Sequence, residues 1–198
     1  MLEQRIQQQF FDSADLKYAA AETLAKPIAD AVSAIVGCIT GGGKVLACGN
    51  GGSASDAQRF AADFIGRFER ERPGLAAIAL TTDSSILTAV GSDFAFDAIF
   101  SKQVQALVNP GDVLLAISTS GNSANVLAAV EAAHAKEMTV VALTGRTGGK
   151  MREQLTETDV HICVPHERTA RIQEVHLLVL NCLCDAVDLQ LLGEQDNT

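Results

Sequence analysis

The stretch GNGGSASDAQRFAADF, residues 49–64, joins a glycine-rich loop directly to a helical pattern. Glycines let a backbone approach a ligand closely, and the first turn of a helix offers amide donors at the positive end of its dipole. Such a loop has the makings of a phosphate cradle. Arg59 and Asp63 follow four residues apart, which puts a fixed cation and a carboxylate on one helical face. A carboxylate in a cleft can act as a general base. A second loop, Ser118-Thr119-Ser120-Gly121-Asn122-Ser123, packs four hydroxyls into six residues ahead of another helical pattern. Neither loop carries a lysine, so neither is a Walker loop, and Gly41-Gly42-Gly43-Lys44 precedes a strand instead of following one. Alone, the first loop also suits a tight strand-to-helix turn and the second an N-cap cluster. Both together, each behind an apolar strand, favour a phosphate or phosphosugar site.

The elements that must position these loops are legible as periodicities. Residues 2–25 carry Leu2, Ile6, Phe10, Leu16, Ala20 and Leu24 at helical spacing. Pro27 is expected to open a second helix, with Ile28, Val32, Ile35, Val36 and Ile39 on one stripe, ending at the glycines 41–43. Then KVLAC (44–48), AAIAL (76–80), DVLLAIS (112–118), TVVALTG (139–145) and DVHICVP (159–165) read as five apolar strands alternating with helices. Continuous apolar strands of this kind belong to a parallel sheet covered on both faces. The expected fold is a doubly wound five-stranded α/β domain spanning 1–198. Residues 1–43 form an N-terminal helical pair, 44–192 the core, and 193–198 a frayed tail. Ligands of such sheets bind at the carboxyl ends of the strands, where both loops lie.

Composition limits the function. The chain has 198 residues, 47% hydrophobic and 20% charged, with a formal net charge of −9. A sequence pI near 4.8 argues against direct nucleic-acid binding, which needs basic surface. No run of about 18 apolar residues predicts a membrane span, and the polar start MLEQRIQQQFF is unlike a secretory signal. The five cysteines form no CxxC pair, which suits a reducing cytoplasm; Cys182 and Cys184, two apart on a helix, point in different directions and read as structural.

CGNGGSASDAQ, ALTTDSSILTAVGSDFAFDAIFSKQ, LLAISTSGNSANV, VVALTG and TARIQEVH together resemble the sugar isomerase (SIS) domain family. Within it they are similar to the branch of bacterial phosphoheptose isomerases and the DnaA initiator-associating protein. The resemblance covers nearly the whole chain. It implies a homotetramer, the terminal helices used in subunit packing, and a site for a sugar phosphate of the heptose 7-phosphate class. By match to the family motifs, Asn50, Gly51, Gly52, Ser53, Asp93, Ser118, Thr119, Ser120 and Ser123 line that site.

In the isomerases a glutamate on the helix after GNGGS and a histidine on the last helix supply base and acid. With a histidine one turn before the glutamate and a glutamine on the last helix, they also bind zinc. Here the resemblance places Arg59, Asp63 and Asn181 at three of these four positions and retains only Gln173. Arginine stays protonated and cannot ligate a metal, and asparagine has no proton to exchange. Asp63 keeps the carboxylate but is a methylene shorter, a retreat of roughly 1 Å that can cost about 100-fold in rate. Arg59 and Asp63 are equally suited to a solvated ion pair. His176, three residues after Gln173, is a candidate acid or a packed side chain; His166 precedes the last helix, and His134 and His161 look peripheral. Arg168 and Arg171 are candidates for phosphate contact, and Asp83 for a helix cap.

The run RTARIQEVHLLVLNCLCDAVD is similar to the end of the initiator-associating protein. The main expectation is therefore a non-catalytic, phosphosugar-binding adaptor with the replication initiator as partner, no cofactor and no contact with nucleic acid or membrane. The alternative is an isomerase converting sedoheptulose 7-phosphate to a heptose 7-phosphate, with zinc.

Overall fold

The five apolar runs pair in parallel, the three central ones buried on both faces, and helical crossovers rather than tight hairpins connect them. In the computed structural model, which describes residues 1–194, they form β1 (Val45–Gly49), β2 (Ala77–Ala79), β3 (Val113–Ser118), β4 (Thr139–Gly145) and β5 (Val160–Val164), in the order β2-β1-β3-β4-β5. All neighbours are parallel. The order reverses between β1 and β3, and in such sheets that switch point opens a crevice beyond the strand ends. Register sets Gly49 opposite Ile117, so the two loops expected to hold a phosphate leave the sheet side by side.

Alternation along each strand divides the core. Val45, Ala47, Leu115 and Ile117 face one apolar cluster, covered by α1 (Leu2–Thr40), α2 (Gly52–Ile65) and α7 (Thr169–Leu192). Leu46, Cys48, Leu114 and Ala116 face a second, covered by α3 (Ser84–Asp93), a turn of 3₁₀ helix (Phe96–Ala98), α4 (Ser101–Leu107), α5 (Ala124–His134) and α6 (Gly149–Gln154). The sandwich is the expected one, and α6 is the helix that periodicity did not show. The tail read as frayed from Gly193 falls, for residues 195–198, outside the described residues.

One expectation needs correcting. The two N-terminal helical segments run on as one helix, with Pro27 inside it. Proline removes a helix hydrogen bond and crowds the carbonyl four residues earlier. The stripe Ala20, Leu24, Ala31, Val32, Ile35 and Cys38 is nonetheless buried continuously across it. Packing of that stripe overrides the local break. Both α1 and α7 are long and apolar enough to cross a membrane by length and composition. In α7, however, Ile172, Val175, Val179, Leu180, Leu183 and Val187 form core, and Asp188 is buried there in an ion pair with Arg72. The Arg72 guanidinium also donates to Phe64 O and Asp63 O, locking the end of α2 to α7.

Pro27→Ala restores the missing donor. It should raise the urea midpoint, by about 1–3 kcal/mol of stability. A midpoint that falls instead would mean that the proline bend seats α1 on α7.

Candidate functional site

The first loop is built around Gly51, which takes a positive φ of 57° and starts α2. Ser53 N donates to Asn50 O and Ala54 N to Gly51 O, tightening the first turn. Ser53 itself is buried. Gln173, near the start of α7, lies directly over Gly52, where a Cβ would collide with its Nε2. In the second loop Ser118 Oγ and Ser123 Oγ are 3.0 Å apart, and Ser120 Oγ accepts from Asn122 N at 3.1 Å. Gly121 has φ 66°, and a Cβ there would strike Gly148 O. Met151 N donates to Gly121 O (2.9 Å) and Lys150 N to Asn122 Oδ1 (3.0 Å), so the unforeseen α6 buttresses this loop.

The two loops are joined by a residue that motif reading passed over. Asn50 Nδ2 donates to Asn125 Oδ1 (2.8 Å), and Asn125 Nδ2 donates back to Asn50 Oδ1 (2.9 Å). Asn125 is buried in the first turn of α5. The signal available was a polar residue among the apolar positions of ANVLAAV, since buried amides need partners. The structure thus brings Asn50, Gly51, Gly52, Ser53, Ser118, Thr119, Ser120, Ser123 and Gln173 to the β1/β3 crevice. Asp93 is exposed at the end of α3, with no hydrogen bond or ion pair to these loops among the described residues.

Along the α2–α7 seam, below Gln173, Arg59 Nη2 donates to Asn181 Oδ1 at 3.3 Å, and Arg59 Nε lies 3.7 Å from Asp63 Oδ2. The Arg59 side chain is 48% exposed and that of Asp63 26%. Burial raises the Asp56 carboxyl, opposed by the Arg59 charge. Deeper in the seam, burial together with the carboxylates of Asp63 and Asp188 pushes the Cys184 thiol up to about 12. These residues do not suit zinc. Of the four positions only Asp63 is anionic, the Gln173 and Asn181 amides are neutral, and Arg59 repels a cation. The described residues contain no cluster of three His, Cys, Asp or Glu that could hold a metal.

The other candidates have structural partners. His176 is fully buried and donates Nε2–H to Thr144 O at 2.9 Å. Burial holds its pKa down at about 4 against the pull of that hydrogen bond. This geometry is that of a packed side chain beneath β4. His161 pairs with Thr144 Oγ1, His134 with Asp159, and His166 Nδ1 accepts from Arg168 N. Arg168 and Arg171 reach Gln9 on α1, and Arg171 also pairs with Glu174, so both tie α1 to α7. Asp83 caps α3 by accepting from Ile86 N at 2.9 Å.

The fold and loops define a parallel α/β domain with two hydroxyl- and glycine-rich loops meeting at the β1/β3 crevice. Residues 9–145 match the SIS domain family. The chain is 79% identical over 198 residues, all of this chain and 99% of the relative, to a phosphoheptose isomerase of Methylibium petroleiphilum. It superposes on the phosphoheptose isomerase structure from Neisseria gonorrhoeae with a TM-score of 0.91 and 53% identity, over 95% of this chain and 99% of that one. For the Francisella tularensis enzyme the TM-score is 0.92 with 47% identity, over 95% and 98%. The chain belongs to the SIS domain family, in its phosphoheptose isomerase branch.

These relatives correct the main functional expectation. The substitutions at Arg59, Asp63 and Asn181 suggested a non-catalytic initiator-associating adaptor, but the proteins that match the whole chain are named as isomerases. Loss of a metal-binding pattern does not by itself empty a site that keeps its carboxylate and its cradle.

Two outcomes test this geometry. Asn125→Ala leaves the Asn50 amide without its partner and should cost about 1–3 kcal/mol in urea unfolding. For His176, the unfolded imidazole binds a proton near its ordinary pKa of 6.5, whereas the folded one resists until about 4. Between these values the unfolded state holds more protons, so stability falls as pH drops through that window, by up to about 3 kcal/mol. The loss should be smaller in His176→Gln when the two are compared by urea unfolding at pH 7.5 and 4.5; equal losses would contradict it.

Proposed function

We propose that this protein is an aldose–ketose isomerase acting on a sugar phosphate of the heptose 7-phosphate class, interconverting sedoheptulose 7-phosphate and its aldose. One observation carries the reading: a hydroxyl-lined cradle at the β1/β3 crevice shares helix α2 with a carboxylate, Asp63. The isomerase relatives support the same reading.

Ser53, Ser118, Ser120 and Ser123 hold the phosphate through hydroxyls and loop amides. Arg59 lies seven residues beyond Gly52, roughly 10 Å along the helix axis. That span suits an extended seven-carbon sugar phosphate better than a triose. Asp63 takes a proton from the carbon beside the carbonyl, leaving an enediolate. It returns the proton to the neighbouring carbon while a second proton moves between the two oxygens. The Arg59 guanidinium, beside Asp63 on the same helical face, stabilises the developing negative charge.

We also infer a cytoplasmic homotetramer in which α1 and α7 pack between subunits. The support is an open apolar groove of about 260 Å³ lined by Ala20, Leu24, Ile28, Val175, Leu178 and Val179, with Ile6, Phe10 and Phe11 exposed further along α1.

The test is incubation of purified protein with sedoheptulose 7-phosphate, following the aldose by NMR. Asp63→Asn should lower kcat by about 100-fold or more and leave KM within a few-fold, since the change touches the proton transfer and not the phosphate. Absence of turnover in the unaltered protein would overturn the proposal, and unchanged kcat in the variant would remove Asp63 as the base.

A further inference from the structure

The geometry points to Arg59 as a built-in cation that stands in for a bound metal, so that this protein is metal-independent. The guanidinium bridges Asn181 Oδ1 at 3.3 Å and Asp63 Oδ2 at 3.7 Å, engaging the oxygens that a metal in this seam would need. Those two groups belong to different helices, so Arg59 joins α2 to α7 through side chains alone.

The neighbouring donors do not offer an alternative set. Cys184, one turn from Asn181 on the buried side of α7, keeps its thiol proton, with a pKa pushed up to about 12 by burial and by Asp63 and Asp188. Burial and Asp185 also raise Cys182. Soft-metal binding needs thiolate, and neither sulfur supplies one. Asp188 is committed to Arg72. Asp63, with Asp56 held towards its neutral form by burial, leaves a divalent ion beside a permanent guanidinium too little negative charge to offset its dehydration.

Arginine suits the substitute role. It stays charged at every working pH, and its planar fork serves two acceptors and still keeps N–H groups free. With its side chain half exposed, Arg59 keeps part of that fork accessible to an anionic oxygen from outside the seam. The site exchanges a removable double charge for a fixed single one.

The test reads metal and stability, so it stands whether or not the sugar is turned over. Protein purified with zinc in the medium and then dialysed should hold less than about 0.1 zinc per chain, and its thermal midpoint should be the same with chelator or with added zinc. The combined variant Arg59→His, Asp63→Glu, Asn181→His should bind about one zinc per chain, with a midpoint that climbs with zinc concentration. Arg59→Ala should lower the midpoint without gaining metal. Near-stoichiometric zinc in the unaltered protein, with a midpoint that drops on chelation, would overturn the proposal. So would an Arg59→Ala midpoint that does not move, or a folded combined variant that takes up no zinc.

Discussion

The parallel pairing of β1 with β3 is the constraint on which the rest depends. Adjacent parallel strands deliver their following loops to the same edge, and here the register places Gly49 beside Ile117. Every feature of the cradle descends from that. Ser53 and Ser123 begin separate helices on opposite faces of the sheet, yet their loops meet at one crevice. The Asn50–Asn125 amide pair bridges them only because the strands beneath leave no slack. The glycines serve the same end: Gly121 admits Gly148 O against its backbone, and Gly52 admits Gln173.

The second half of the site is a seam instead of a crevice. Gln173, Arg59 with Asn181, Asp63, Cys184 and finally Arg72 with Asp188 succeed one another between α2 and α7. Exposure falls along this series, from a half-exposed guanidinium to a fully buried ion pair. A buried pair anchors the lower end at a desolvation cost, and its value is geometric fixity more than net stability. It holds still the backbone that carries Asp63, whose carbonyl Arg72 grips. A carboxylate whose main chain is fixed in this way needs no bound ion to orient it.

Much of this was legible in the chain. The strands announce themselves because doubly buried parallel strands are unbroken apolar runs, and STSGNS because hydroxyls crowd one loop. What escaped did so for identifiable reasons. Pro27 is a local signal to break a helix, and only the tertiary seating of Ala20 through Cys38 outweighs it. α6 has six residues, too few for periodicity to register. Asn125 looks like an ordinary helical polar residue until β1 brings Asn50 to it across 75 positions of sequence. The functional inference erred on a different point. Arg59, Asp63 and Asn181 read together as losses from a metal site point to an adaptor, whereas the relatives that match the whole chain are isomerases and the fold pairs Arg59 with Asn181.

The reciprocal amide pair between Asn50 and Asn125 carries no formal charge. No pH change within the range of folded proteins alters it, and counterions have nothing in it to screen. Contacts such as Arg59 with Asp63 weaken as ionic strength rises. The two halves of the candidate site therefore differ in kind: a neutral clasp of constant width between the two loops, and a charged seam beside it whose grip is tuned by the surrounding electrolyte.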